Sequence, residues 1–135
     1  MKLLIMYADE FSYDLASKKL ENAIANESEN NYKDILIAFI HAEEKDELET
    51  GIEQALIKHI KYAAQKNNTS KVLLHSFTHL SESKSTPEFA KQLMATAKTR
   101  LESSKYDVVL APFGFYLNVN IQNPGYQYSR IFRSF

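Results

Sequence analysis

The sequence contains no cysteine, which excludes a disulfide framework, a thiolate nucleophile and any cysteine-based zinc site. A chain without cysteines suits the cytoplasm, and that is the compartment expected. No apolar run approaches the roughly 20 residues needed to cross a bilayer, so no membrane contact is expected. The opening "MKLLIMYADE" is basic and then apolar, but acidic residues follow at once and no small-residue cleavage site appears. That pattern fits a buried strand better than a secretion signal. A basic excess is missing too. Net charge is −1 over 135 residues, whereas a domain that grips nucleic acid chiefly through phosphates is usually basic. Contact with RNA must then be local or helped by another domain. No internal repeat and no dividing linker appear, so residues 1–135 are read as one domain.

What is present is a set of short apolar segments. "KLLIMYA", 2–8, has strand length, and "FSYDLASKKL", 11–20, alternates loosely as a second, more exposed strand. "ANESENN", 25–31, is polar and reads as a mobile loop. "DILIAFIHA", 34–42, is a continuous apolar run, as expected of a central strand covered on both faces. After the charged connection "EEKDELETG", Ile52, Leu56, Ile60 and Ala63 make one apolar stripe of a helix over about 51–66. Asn67 and Asn68 end it, because asparagine tolerates the left-handed conformation.

"KVLLHSF", 71–77, is the next strand. Thr86, Pro87 and Glu88 then form a helix start, with a capping hydroxyl, a proline at the first position and an acid in the positive first turn. Phe89, Leu93, Ala97 and Leu101 carry its apolar period to about residue 104. "YDVVLAPF", 106–113, and "FYLNVNI", 115–121, read as two strands broken at Pro112–Gly114, and the tail "QNPGYQYSRIFRSF" closes the chain. The order is β-β-β-α-β-α-β-β, an α/β fold of the α+β layer type with two helices packed on a sheet.

Two stretches carry candidate chemistry. In "HSFTHLSES", 75–83, His75 and His79 lie four apart, the spacing of a zinc clamp. Such a clamp needs both on one helical face, normally with a glutamate after the first histidine. Here the residues before them read as strand, where an i, i+4 pair does not converge on one ion, and neither His41 nor His59 has a ligand-like spacing to them. No metal site is expected. A histidine just past a strand's C-terminus can pass one proton or orient a water; it can equally hydrogen-bond its own turn and do nothing else. In "APFGFY", 111–116, Gly114 permits a backbone conformation or close approach that a β-carbon would block. It would either expose backbone groups toward a ligand or form a plain bulge.

Taken in order, "MKLLIMYADEFSYD", "ILIAFIHAEEKDE", "FTHLSESKSTPEFA", "APFGFY" and the late "YSR" make nearly the whole chain resemble the archaeal-type N-terminal editing domain of threonyl-tRNA synthetase, which has a D-aminoacyl-tRNA deacylase-like fold. The resemblance implies hydrolysis of serine wrongly esterified to the tRNA for threonine, without cofactor or metal. It implies the aminoacylated 3′ end of tRNA as ligand, a threonyl-tRNA synthetase catalytic domain as companion, and a homodimer, across which the aromatic tail would pack unless it covers its own core. Matched residue by residue, His79 is the pocket histidine beside the scissile ester. Phe77 and Thr78 are its neighbours, Ala111, Pro112, Phe113, Gly114 and Tyr116 form the facing wall, and Tyr7 stands where the N-terminal strand usually has a histidine.

Two further positions depart. The family's catalytic lysine, right after the tyrosine matched by Tyr116, is Leu117 here, and the glutamate supporting it is Gln127. Leucine neither binds a water nor offsets negative charge, and an uncharged glutamine is consistent with the loss of that cation. Three readings follow. One is a working deacylase in which water, the ribose 2′-OH, backbone donors near Gly114 and His79 supply the rate, with Lys84 or Lys91 as possible replacement cations. The second is a degenerate module that holds tRNA ends or supports a synthetase. The third is a deacylase for another ester, such as a D-aminoacyl-tRNA.

Overall fold

The apolar run beginning after Asp34 becomes the middle of a sheet, with every residue from Ile35 to Ile40 buried. The computed structural model describes residues 1–18, 20–21 and 30–135. Its strands are β1 (Lys2–Lys18), β2 (Asn31–His41), β3 (Lys71–Ser76), β4 (Asp107–Leu110), β5 (Phe115–Gln122) and β6 (Arg130–Ser134). Helix α1 (Ile52–Lys66) lies between β2 and β3, and α2 (Pro87–Ser103) between β3 and β4. The sheet order is β4-β3-β2-β1-β5, with β6 also beside β1. β2, β3 and β4 run parallel, and β1 is antiparallel to β2, β5 and β6.

Both helices start and stop as their end residues require. Thr86 Oγ1 accepts a hydrogen bond from the Phe89 N–H at 3.3 Å at the start of α2. α1 ends at Asn67, and Asn68 follows with φ 52°, the left-handed turn that asparagine tolerates. Ile52, Leu56, Ile60 and Ala63 of α1 pack with Leu93, Met94, Ala97 and Leu101 of α2 on one face of the sheet, over Leu3, Ile5, Leu36, Ala38, Val72 and Leu74. This is the expected two-helix layer.

Three elements differ from the sequence reading. The two N-terminal strands are one, because no glycine or proline interrupts residues 2–18 and only the alternation breaks. Up to Ala8 the even residues Leu4, Met6 and Ala8 face away from the helices; beyond it the odd residues Phe11 and Tyr13 do. β2 changes phase at the same level, between Tyr32 and Ile35, where Asp34 takes φ 51°. The pairing passes from Ala8–Ile35 to Glu10–Lys33 across this kink.

The second difference is the tail, whose residues 130–134 form β6, from Met6–Arg130 to Lys2–Ser134. Its Ile131 is buried and Tyr128 and Phe135 pack on the helix-side core, while Phe132 stays 51% exposed. Tyr128, Ile131 and Phe135 of the tail thus cover the chain's own core, while Tyr126 and Phe132 stay about half exposed. Third, the charged connection after β2 contains a 3-10 turn, Glu44–Leu48. The stretch 25–31, expected as a mobile loop, falls outside the described residues up to 29.

β4 ends beside β3, and β5 begins beside Lys18 of β1, only four residues later. A chain reaches at most about 3.6 Å per residue. The second half of β1 must therefore fold back, with β5, across the face opposite the helices. There Phe11, Tyr13, Leu117 and Ile121 close over Ile35, Ile37, Phe39 and Leu73 as a second core.

At the opposite corner the Met1 ammonium is fully buried, 2.7 Å from Glu43 Oε1, 3.0 Å from Asp46 Oδ1 and 2.7 Å from the Phe135 carbonyl. Burial by itself would raise the Glu43 carboxyl. Hydrogen bonds from the ammonium and the Ser81 hydroxyl, with the charge of the ammonium, overcome it and hold the group at about 2, against an ordinary 4.5. Because the folded value is depressed, this stabilisation is complete above about pH 5 and is lost as pH falls toward 2. Glu43→Gln should therefore lower urea stability by about 3 kcal/mol at pH 7, and its deficit against the parent should shrink on acidification. A constant deficit from pH 7 to 2.5 would contradict this account.

Candidate functional site

The fold-back of β1 and β5 brings the two sequence-predicted stretches face to face. At the end of β3, Ser76 and Thr78 line a cavity of about 110 Å³, and the turn entering β5 lines its other side with Phe113, Gly114 and Phe115. Ser85, Thr86, Pro87 and Ala90 at the start of α2, Ala42 past β2, Leu20 and Lys84 complete it. Gly114 has φ 86°, a left-handed conformation that a β-carbon would strain, and its carbonyl accepts from the Leu20 N–H at 3.0 Å. The glycine is needed for the turn that forms this wall.

His79, exposed, directly follows the lining residue Thr78 on the loop leaving β3. Its ring is 4.7 Å from Phe77 and 6.3 Å from Tyr116 on the opposing strand. Phe77 in turn stands edge-on to Phe39 at 5.0 Å, and His75 packs against both at 5.6 Å. Such edge-to-face stacks hold ring orientations better than aliphatic contacts do. His75 is a buried strand residue of β3; burial first, and the neighbouring His79 second, push its imidazole down to about 4. Both histidines pack on the Phe77 ring. Among the described residues, no three His, Asp or Glu side chains are grouped to hold an ion.

The cavity has hydroxyl-bearing walls, from Ser76, Thr78, Ser85 and Thr86, and one wall built on a glycine-dependent backbone turn. The family described as the archaea-specific editing domain of threonyl-tRNA synthetase matches residues 1–135. The chain belongs to that family.

Threonine–tRNA ligases of Methanosarcina acetivorans and Methanopyrus kandleri are 33% and 27% identical to it, each over 99% of this chain. The chain spans about a fifth of their length, 21% and 22%. Among solved structures, the c-Myc DNA unwinding element binding protein superposes with a TM-score of 0.70 over 99% of this chain and 98% of its own, at 14% identity. That likeness concerns the fold, and the D-aminoacyl-tRNA deacylase-like architecture expected for this editing-domain family is the one observed.

Within the cleft of the editing domain the matched residues divide. Thr78, Phe113 and Gly114 line the cavity. Phe77, His79 and Tyr116 are not part of its lining; their rings stack on one another at positions next in sequence to Ser76, Thr78 and Phe115, which are. Ala111 and Pro112 are buried behind them; the Ala111 N–H donates to the Leu74 carbonyl at 2.9 Å and extends the β4–β3 pairing. Tyr7 does not join the group. It packs on the helix-side core, its hydroxyl donates to Asp34 Oδ1 at 3.0 Å, and its ring faces Tyr126. Leu117 packs against the second core, on the side of β5 opposite Tyr116, so its position sends no polar atom into the cavity. Gln127 lies exposed beyond the far end of β5. Of the two lysines considered as replacement cations, Lys84 lines the cavity and Lys91 does not.

The sequence reading missed the residues that hold the histidine-bearing loop. His41, fully buried, bonds Leu80 and Ser83; Glu43 accepts from the Ser81 hydroxyl at 2.7 Å; and the Ala42 carbonyl accepts from the Ser85 N–H at 3.0 Å. The available signal was the polar "HAEE" directly after a wholly apolar strand, since polar groups at the end of a buried strand need partners.

The His75 imidazole should titrate near pH 4 in an NMR titration. Because its folded value lies below the ordinary 6.5, the stability tied to this neutral ring is whole above about 6.5 and falls between 6.5 and 4. An apparent value above 6 would show that the ring is not buried as described. Gly114→Ala should cost about 1 kcal/mol in urea unfolding through backbone strain at φ 86°. An unchanged midpoint would mean that the turn relaxes freely.

Proposed function

We propose that this chain hydrolyses the ester joining serine to the tRNA for threonine, as a proofreading deacylase working beside a threonyl-tRNA synthetase. A synthetic site for threonine cannot strongly reject serine, because one missing methyl is worth only about 1–3 kcal/mol. A second site must therefore remove the error. The observation carrying this reading is the cavity between the end of β3 and the Gly114 turn, with His79 on the loop directly after the lining residue Thr78. We assign its space of about 110 Å³ to the seryl group. The terminal adenosine then lies outside, against the rings of Tyr116, Phe77 and His79, where stacking on an aromatic is worth about 1–3 kcal/mol per base.

The chemistry asks for a positioned water and for stabilisation of the oxyanion formed when it attacks the carbonyl. Backbone donors around Gly114, the substrate's own 2′-OH and His79 are the groups we assign to these tasks. Net charge −1 implies weak binding of tRNA by this chain in isolation, so a synthetase would supply most of the grip. A second copy of the chain is a further partner, and half-exposed Phe132 offers it an apolar contact. One observation favours a non-catalytic reading, in which the domain only holds tRNA ends: Leu117 packs into the second core, so no charge enters the cleft from that position.

Purified protein incubated with seryl-, threonyl- and D-aminoacyl-tRNA separates these readings. Preferential release of serine is expected. Release of a D-amino acid alone would assign another substrate, and binding without release would assign a holding role. His79→Ala should slow serine release by about tenfold or more, below the usual effect of a full acid–base catalyst, with its urea midpoint unchanged. A parental rate would remove His79 from the mechanism.

A further inference from the structure

His41 faces the loop that carries His79 from the end of β2, and it is fully buried. The Leu80 N–H lies 3.0 Å from its Nδ1, and the Ser83 carbonyl lies 2.7 Å from its Nε2. A backbone N–H only donates and a carbonyl only accepts. The two contacts therefore assign the ring: Nδ1 is the unprotonated acceptor and Nε2 carries the hydrogen. A doubly protonated ring would set an N–H against the Leu80 N–H and lose that bond. The imidazole thus bridges two backbone groups three residues apart in a segment without regular secondary structure.

We propose that His41 is the positioning residue for His79. The peptide bond whose N–H it holds is the one joining His79 to Leu80. With that plane held, and with Ser83 held on the far side, the backbone at His79 cannot swing, and its ring stays between Phe77 and Tyr116. The neighbouring bonds act in the same sense but grip other points, Glu43 at the Ser81 hydroxyl and the Ala42 carbonyl at the Ser85 N–H. Of these three groups, His41 is the one that reaches the backbone next to His79. Its relation to catalysis rests on the reading of the cleft as a deacylase site, whereas its relation to the geometry of His79 does not.

The test uses the whole chain with His41→Leu, which removes both bonds, and His41→Gln, whose amide can accept from Leu80 and donate to Ser83. In the parent, ring nitrogen NMR should show the hydrogen on Nε2. In His41→Leu, exchange of the Leu80 amide should rise at least 100-fold, and the contacts of His79 with Phe77 and Tyr116 should weaken. The kcat for serine release should fall at least tenfold with KM within threefold. His41→Gln should restore most of each. The proposal is overturned if His41→Leu keeps parental Leu80 protection and His79 contacts, or if its losses follow a drop in global urea stability that His41→Gln shares. It is also overturned if the parent ring carries its hydrogen on Nδ1. If the parent protein releases no amino acid from any substrate, the functional reading falls, and the exchange and contact measurements still decide whether His41 positions His79.

Discussion

β1 pairs with three strands, and its change of face at Asp9 is the constraint on which the cleft depends. Its first half belongs to the main sheet, with β2 on one side and β6 on the other. Its second half, carrying β5, must cover the opposite face, because β4 and β5 are joined by only four residues. A one-residue change of phase exchanges the faces of everything beyond it. Both β1 and β2 make that change at the same level, so the pairing survives while the surface turns. Without it Phe11 and Tyr13 would point outward and β5 would not reach the end of β3.

The cleft formed in this way is stiff on one wall and supported at a distance on the other. The Gly114 wall is held by the β4–β3 pairing continued through Ala111 and by the bond from Leu20. The histidine wall is irregular backbone, which by itself would be mobile. It is held by an aromatic stack underneath, from Phe39 through His75 and Phe77, and by polar groups of the 41–44 segment beside it. One of those groups, Glu43, also binds the buried Met1 ammonium, so the packing of the chain's two ends is joined through one carboxylate to the loop that bears His79.

Much of this was legible in the residues. The fully apolar run from Ile35 to Ile40 announced a strand buried on both faces, and both helices followed their stripes and end residues because those signals are local. The pairing of "HSFTHLSES" with "APFGFY" around one cleft followed from their order and their likeness to a family. Less legible was the joining of residues 2–8 and 11–20, because the alternation changes phase between them and two strands would show the same pattern. The tail was missed as a strand because Ile131 is its one buried apolar residue, too weak a pattern at an edge. Tyr7 was grouped with the cleft by likeness alone, and nothing local could show that its hydroxyl turns to Asp34.

The sequence by itself determined the two helices, the central strand, the family and the candidate residues at the two chain reversals, since helix ends, apolar periods and a glycine in a turn are set by neighbours a few positions away. Tertiary structure alone decided which of those residues share a cavity, that Leu117 faces a core, and that His41 holds the backbone beside His79. Those facts depend on how a 17-residue strand bends and on bonds between groups about 40 positions apart, and no pattern along the chain carries them.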